Sequence, residues 1–200
     1  MYLIRGQHNL KLFKSRHPNI LLSGTIGNFD GLHLGHQAIL EKIKNNAQKY
    51  NAKTIVFFTE PHAAEYFSKV RDKNQIPPPR ICPWREKFQL LKKSKIDFAC
   101  FLKFNSKLRT MSPDDFISQI LDSINLVSFT VGDDFRFGAG RKGDTDLLKN
   151  WGEKKGILVE NTETVTLDGQ RVSSTRIREE LLNNNFCLLY TSPSPRDVCS

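Results

Sequence analysis

The most informative stretch of this chain is TIGNFDGLHLGHQ, Thr25 to Gln37, and the other elements are arranged around it. The apolar run Ile20 to Leu22 precedes it, and apolar residues at helical spacing follow it. This order predicts a strand, a glycine-rich turn and the start of a helix. Glycines let a turn bend sharply and approach a ligand closely, and the N-terminus of a helix favours anions. His33 and His36 stand at the helix start, where their ring nitrogens can face an anion.

The composition restricts the class of protein. A chain of 200 residues, 38% of them hydrophobic, forms one domain of ordinary size or one domain plus a short tail. No apolar run approaches the ~18 residues that span a membrane, and polar residues interrupt the N-terminal segment. We therefore expect a soluble, cytoplasmic protein with no membrane partner. The four cysteines lack the spacing of a zinc or redox site, so no resident metal is expected.

The formal net charge of +9 is compatible with nucleic acid or with small anionic substrates. Basic residues are spread along the chain among acids and form no block of five or more. Small anions such as nucleotides are therefore the expected partners, and nucleic acid is not.

Strand-like runs alternate with helical patterns along the chain. A helix over 37–50 leads into the strand Thr54 to Phe58, and further strands are expected at Asp97 to Leu102 and Leu126 to Val131. Such alternation is typical of an α/β fold with a parallel sheet. Short strands are also expected at 157–159 and 164–167, after an amphipathic helix that contains Trp151.

Two more helices have clear start signals. Ser112 and Pro113 stand before an apolar face, which predicts a capped helix, and Pro83 begins a helix with Trp84, Phe88 and Leu91 on one face. Between 69 and 83 the chain is polar and contains three consecutive prolines, so we expect a loop or flap.

The segment GDDFRFGAGRKGD, Gly132 to Asp144, follows a strand and combines glycines, acids, aromatic rings and basic residues. Aromatic faces suit a planar ring such as a flavin, while Arg136, Arg141 or Lys142 can reach a phosphate. The segment RVSSTRIREEL, Arg171 to Leu181, starts another helix with two arginines in its first turn. Cations there oppose the helix dipole, and a bound anion would remove the conflict, so a second phosphate site is expected.

The string GNFDGLHLGHQ resembles the (His/Thr)-x-Gly-His signature of the nucleotidyltransferase superfamily, in the form found in its bacterial FAD synthetase branch. The two later segments resemble that family's GxDFxFGxxRxGD and SSTxIR elements, in the same order. The segment Thr59 to Phe67, TEPHAAEYF, matches the family's TFEPHP only in part, so His62 receives no catalytic role.

The resemblance covers about Gly24 to Leu182 and implies the N-terminal FMN adenylyltransferase domain of a bifunctional riboflavin kinase/FAD synthetase. The implied fold is a Rossmann-like three-layer α/β/α sandwich with a mostly parallel sheet and a small β-rich excursion over 136–171. The implied reaction transfers AMP from ATP to FMN, giving FAD and pyrophosphate, with Mg²⁺ bridging the phosphates. The resemblance assigns catalysis to His33, His36, Ser174, Thr175 and Arg178, and substrate binding to Gly27, Asn28, Phe29, Asp30, Gly31, Asp134, Phe135, Phe137 and Arg171.

Two alternatives remain open from the sequence. One is a sister nucleotidyltransferase with another acceptor, such as a nicotinamide or pantetheine phosphate. The other is a non-catalytic, basic nucleotide- or RNA-binding module. After residue 186 the pattern ends in CLLYTSPSPRDVCS, Cys187 to Ser200, which we interpret as a foreign or frameshifted, poorly ordered tail after a domain over 1–186, with the riboflavin kinase domain absent.

Overall fold

The computed structural model describes residues 1–71 and 76–184 of the chain. The expected tail over 187–200 lies outside the described residues. Six strands form one sheet in the order β1-β4-β3-β2-β5-β6, and every pairing in it is parallel. The strands are β1 (Tyr2–Arg5), β2 (Leu22–Ile26), β3 (Lys53–Glu60), β4 (Phe98–Lys103), β5 (Leu126–Gly132) and β6 (Leu158–Thr162), and a separate hairpin pairs β7 (Thr166–Leu167) with β8 (Gln170–Arg171).

Helices connect the strands and cover both faces of the sheet. They are α1 (Gly6–Arg16), α2 (Leu34–Lys49), α3 (Ala63–Arg71), α4 (Trp84–Lys93), α5 (Ser106–Thr110), α6 (Pro113–Phe116), α7 (Thr145–Lys155) and α8 (Ser174–Leu182). A π-helical turn, Ile117–Leu121, continues α6, and Ala139–Arg141 forms a 3-10 turn. Within the described ranges, no helix is long and apolar enough to cross a membrane.

The strand β2 lies between β3 and β5, and all five of its residues are buried. Ser128 on β5 donates a hydrogen bond to the Ser23 hydroxyl at 2.7 Å, which satisfies two polar groups inside the sheet. A Cβ on Gly24 would lie 2.9 Å from a methyl group of Leu126 and 3.1 Å from the Phe129 ring, so these core side chains would have to shift around any larger residue. The strand that the sequence predicts at Ile20 to Leu22 lies further along the chain in the structure. It begins at Leu22 and includes Thr25 and Ile26, the first two residues of the glycine-rich motif.

Two apolar clusters lie on opposite faces of the sheet. One contains Leu10 of α1, Ile120 of the π-helical turn and Leu148 of α7, and the other contains Ile43 of α2 and Leu91 of α4. This arrangement confirms the predicted three-layer α/β/α sandwich with a parallel sheet.

The predicted helices after the motif, at Pro83 and at Ser112 are confirmed, and the Ser112 hydroxyl accepts from the Asp115 backbone N–H at 3.0 Å. The prediction of a loop from residue 69 is wrong for its first three residues, which belong to α3. The β-rich excursion over 136–171 is smaller than its bounds imply, because α7 and β6 in that range belong to the main sandwich. It consists of the Phe137–Gly143 bridge and the β7–β8 hairpin.

Candidate active site

A cavity of about 830 Å³ opens at the carboxyl ends of β2 and β5. The chain runs from β2 outward to β3 on one side, and after β4 it returns to place β5 on the other side of β2. The loops that follow β2 and β5 diverge at such a reversal of strand order, and ligands of open α/β sheets bind in the crevice between them. Both glycine-rich segments that the sequence singled out line this cavity.

Two histidines lie together at the N-terminus of α2. His33 is the residue before the first helical turn, and its ring stacks on that of His36 with the centroids 3.7 Å apart and the planes at 25°. The centroid of the Phe29 ring lies 5.0 Å from that of His36. A Cβ on Gly35 would lie 3.3 Å from the His33 ring, so glycine at this position leaves room for the pair. Both rings line the cavity beside the amide groups of the first helical turn, which have no partner within the helix.

Burial keeps both imidazoles neutral. Burial and the charge of Arg171 lower the pKa of His33 to about 4, against a smaller opposing effect of Asp30. Burial, then the charges of His33, Lys87 and His62, lower the pKa of His36 well below its usual value. The Nδ1 atoms of both histidines are buried and have no hydrogen-bond partner among residues 1–71 and 76–184. An unpaired buried nitrogen is costly, and a ligand oxygen in the cavity can relieve that cost.

The loop between β2 and α2 is folded tightly. Phe29, Gly31 and Leu32 have positive φ angles of 48°, 82° and 42°, a region that non-glycine residues seldom adopt. Phe29 and Leu32 are nevertheless fully buried, so packing maintains the strained backbone. Strain of this kind is retained where a defined loop geometry is required.

Asp30 joins this loop to two distant parts of the chain. It is 1% exposed, and its carboxylate accepts hydrogen bonds from the backbone N–H groups of Ile81 at 3.2 Å and Cys82 at 2.9 Å. It also forms an ion pair with Arg178 of α8. The Ser174 hydroxyl donates to the backbone oxygen of Asp30 at 3.0 Å. The loop, the segment before α4 and the start of α8 are thus connected through one buried carboxylate.

The arginines at the start of α8 already have partners in the protein. Arg178 pairs with Asp30 and donates to the Pro79 carbonyl at 2.7 Å, while Arg176 donates to two carbonyls of the β7–β8 hairpin at 3.1 Å. The protein thus supplies acceptors of its own for these two charges. The second phosphate site expected at this helix start stays a prediction.

The segment before α4, for which the sequence predicts a loop or flap, is anchored. The guanidinium of Arg80 pairs with Glu60 at the end of β3 and with Glu65 of α3. These two carboxylates raise the pKa of Arg80. Together with the contacts of Asp30, this arginine holds residues 79–82 against the edge of the site.

The loop after β5 supplies an aromatic wall. The rings of Phe135 and Phe137 are 5.7 Å apart and nearly parallel, at 14°, and Phe137 also contacts Phe116 at 5.2 Å. Glycine is required beside them, because a Cβ on Gly143 would lie 2.7 Å from the Phe137 ring. Parallel aromatic faces at a cavity wall suit a planar ligand.

Charged residues link this wall to the β7–β8 hairpin. Arg171 pairs with Asp134 at 2.9 Å and lies 3.6 Å from Asp133, and the Thr164 hydroxyl donates to Asp133. The pKa of Arg171 is raised, chiefly by its hydrogen bond to Asp134. Since Arg171 also lowers the pKa of His33, the two ends of the cavity are electrostatically connected.

The structure brings most of the predicted site residues together around one cavity. The lining includes, at the histidine end, Gly27, Asn28, Phe29, His33, His36 and Ser174, and at the other end Asp134, Phe135, Phe137 and Arg171. Four predicted residues do not line it, namely Asp30, Gly31, Thr175 and Arg178. Asp30 and Arg178 instead support its wall. Their assigned roles stay predictions.

Sequence reasoning missed several residues of this site. Lys87 of α4 is buried and donates to the Asn28 carbonyl at 2.5 Å, and Phe104 and Arg109, which flank or belong to α5, line the cavity. Lys87 carried a usable signal, since it lies within the apolar face of α4. Among residues 1–71 and 76–184, no three His, Cys, Asp or Glu side chains group in a way that could hold a metal ion.

Comparisons with known proteins agree with this geometry. The sequence model of the FAD synthetase family matches residues 17–176. The bifunctional riboflavin kinase/FMN adenylyltransferase of Escherichia coli K12 is 39% identical over 189 residues, and that of Haemophilus influenzae is 38% identical over 192 residues. Each alignment covers 94% of this chain and 58% of the relative, so the chain spans somewhat more than half the length of these proteins.

Solved structures share the fold. A structure described as a macrolide-efflux protein from Streptococcus pneumoniae superposes with a TM-score of 0.73 at 22% identity, covering 92% of this chain and 59% of that one. The pantoate-beta-alanine ligase of Francisella tularensis superposes with a TM-score of 0.55 at 14% identity, covering 94% and 81%. With the family match over most of its length and both histidines of the motif in one cavity, the chain belongs to the FAD synthetase family.

Proposed function

We propose that this chain transfers AMP from ATP to FMN, producing FAD and pyrophosphate. The observation that carries the proposal is the stacked pair His33 and His36, with unpartnered nitrogens, at the N-terminus of α2 in a cavity whose other wall is aromatic. Family membership and the names of the relatives support the same reaction.

The reaction requires two anions to be held in line. An oxygen of the FMN phosphate forms a bond to the α-phosphorus of ATP, and the bond from that phosphorus to the bridging oxygen of the β-phosphate breaks. The electron pair leaves with pyrophosphate, so no proton transfer is needed for the bond change. Catalysis then depends on positioning and on offsetting the charge that develops on the leaving group.

The histidine end of the cavity suits the ATP phosphates. His33 and His36 enter neutral and offer one N–H each, beside the backbone amides of the α2 N-terminus. An approaching phosphate favours the protonated imidazole, so bound ATP should raise the pKa of both histidines. Ser174 and Thr175 at the start of α8 are the candidates for the leaving pyrophosphate, and Arg178 would join them by leaving Asp30.

The aromatic end suits FMN. Phe135 and Phe137 offer nearly parallel ring faces for the flavin, and Asp134 and Arg171 stand at its edge. Asn28, which lines the histidine end of the cavity, can contact the acceptor phosphate. ATP enters as its magnesium complex in this scheme, because phosphates hold Mg²⁺ with few protein ligands.

The test is FAD formation and pyrophosphate release from ATP, FMN and Mg²⁺. Riboflavin in place of FMN is the parallel control, and FAD from FMN but not from riboflavin is expected. Nicotinamide and pantetheine phosphates test the alternative acceptors. No FAD from a folded protein that binds ATP would refute the proposal, and strong, salt-sensitive binding of oligonucleotides without pyrophosphate release would favour the binding module.

Each of His33→Ala and His36→Ala should lower turnover by about a hundredfold or more if each histidine acts as one transition-state donor. The matched control is His8→Ala, because His8 lies exposed on α1 away from the cavity. A loss below threefold in the two site variants would identify the histidines as structural.

A further inference from the structure

Helix α4 buries a charged side chain against the floor of the active site. Lys87 is 1% exposed, although lysine is almost never fully buried without a partner. It lies on the same helix face as Trp84, Phe88 and Leu91, which is otherwise apolar. The adenylyl-transfer scheme above makes no use of this residue.

The ammonium group of Lys87 contacts the loop between β2 and α2. Its Nζ atom donates a hydrogen bond to the backbone oxygen of Asn28 at 2.5 Å and lies 5.4 Å from the centroid of the Phe58 ring. A charged donor makes a stronger hydrogen bond than a neutral one. The acceptor residue, Asn28, directly precedes Phe29, the first residue of the loop with a positive φ angle. The hydrogen bond therefore fixes the backbone where the strained part of the loop begins.

Charged groups from five parts of the chain face Lys87. Burial lowers its pKa, whereas the carboxylates of Asp30 and Glu60 oppose that effect and favour the charged form. Arg80 lowers the pKa of Lys87, and Cys82 raises it. Lys87 also lowers the pKa of two histidines. For His36 its effect ranks after burial and the effect of His33, and for His62 it ranks directly after burial.

We propose that Lys87 is a positioning residue for adenylyl transfer: its ammonium group fixes the Asn28 carbonyl and supplies a positive charge that acts on the imidazole of His36. The inference rests on the proposed function for its kinetic part and on the geometry for the rest. Lys87 does not line the cavity, so it acts through the loop and through His36 rather than by touching a substrate.

Two substitutions separate the hydrogen bond from the charge. Lys87→Met keeps the length of the side chain and removes both, whereas Lys87→Gln keeps a donor and removes the charge. Lys92→Met is the matched control, because Lys92 is an exposed lysine of the same helix. Lys87→Met should lower kcat about tenfold to a hundredfold, the range expected for loss of a residue that orients a site. The KM for FMN should change less than kcat, since the aromatic wall proposed for the flavin lies on the loop after β5, away from Lys87.

Lys87→Gln should recover part of the lost kcat, because its amide can donate to Asn28. Both Lys87 variants should raise the titration midpoints of His36 and His62 in NMR spectra of the histidine rings, because both remove the charge. Lys92→Met should leave kcat and both midpoints unchanged.

A kcat within twofold of wild type in folded Lys87→Met, or unchanged midpoints of His36 and His62, would overturn the proposal. If Lys87→Met does not fold, Lys87→Gln decides by the same two criteria. If the wild type forms no FAD, the proposed function fails by itself, and the histidine midpoints still decide whether Lys87 sets the electrostatics of this site.

Discussion

Acidification should destabilise this protein through His33, by an amount that the structure lets one calculate. The pKa of His33 is about 4 in the folded chain, against 6.5 for an ordinary histidine. A depressed pKa means that protons bind the unfolded chain preferentially, so stability is present above pH 6.5 and is lost as the pH falls toward 4. Integrating over the two pKa values gives a loss of about 2 kcal/mol between pH 7.5 and pH 5. His36 adds a loss of the same sign.

Urea denaturation at pH 7.5 and pH 5 measures this loss, but carboxylates also titrate in that window. The comparison must therefore be between variants. The free energy of unfolding of the wild type should fall by about 2 kcal/mol more over this interval than that of His33→Gln, which lacks the imidazole. His8→Gln is the matched control, since His8 is an exposed histidine on α1, and it should lose as much stability as the wild type.

If wild type and His33→Gln lose the same free energy of unfolding between the two pH values, His33 does not cause the loss of stability on acidification. Ring-proton NMR gives a direct check, because His33 should remain neutral down to about pH 5. A His33 midpoint near 6.5 would refute the burial argument itself. Saturating ATP should move the midpoint upward, because a phosphate beside the ring favours the imidazolium form.

Three further outcomes follow from single contacts. Arg171→Gln should raise the His33 midpoint in the same NMR titration, since the charge of Arg171 lowers that pKa, and an unchanged midpoint would disprove the connection between the two ends of the cavity. Gly138→Ala should cost about 1–3 kcal/mol in urea denaturation, because Gly138 has φ +73° and a Cβ there would lie 2.8 Å from the Pro113 nitrogen; wild-type stability would contradict this. Asp30→Asn should lower the melting temperature, since it leaves the partly buried guanidinium of Arg178 without its carboxylate, and an unchanged value would mean that the ion pair contributes little.

The central part of the fold is predictable because local sequence signals mark where its strand, its turn and its helix begin and end. A buried strand, a tight turn and an amphipathic helix follow one another within the stretch around Thr25 to Gln37, and the next buried run at 54–58 completes a parallel unit. These elements depend on local patterns of apolar residues and glycine. The two histidines belong to the same stretch, so their proximity follows from helix geometry alone.

The N-terminal elements have no comparable local signal. The edge strand β1 has four residues and buries only Ile4, and α1 buries only Leu10, so neither has a clear periodic face. β1 is stabilised by pairing with β4, and α1 is stabilised by packing against β4 and the π-helical turn. These partners lie about 100 residues away in the sequence. Tertiary contacts of this kind override weak local preference, and a single sequence does not reveal them.

The helix start at Ser174 is a clearer case of the same limit. Its arginines predict an anion, and the dipole argument is sound for an isolated helix. The acceptor for Arg178 is Asp30, which lies 148 positions earlier in the chain than this arginine. Only the fold reveals that partner, because parallel topology brings the loop after β2 next to the start of α8.

For Lys87, the sequence predicts the direction of the side chain toward the core but does not predict its hydrogen-bond partner. A helix that begins after Pro83 with apolar residues at 84, 88 and 91 must also direct position 87 toward the core, because i, i+3, i+4 and i+7 share one face. A lysine at such a position either extends to solvent or has a buried acceptor. The 1% exposure of Lys87 excludes the first, and the acceptor is the backbone of the loop that precedes the two histidines. A charged residue within an apolar helix face therefore indicates a buried partner, and here that partner lies in the loop that shapes the active site.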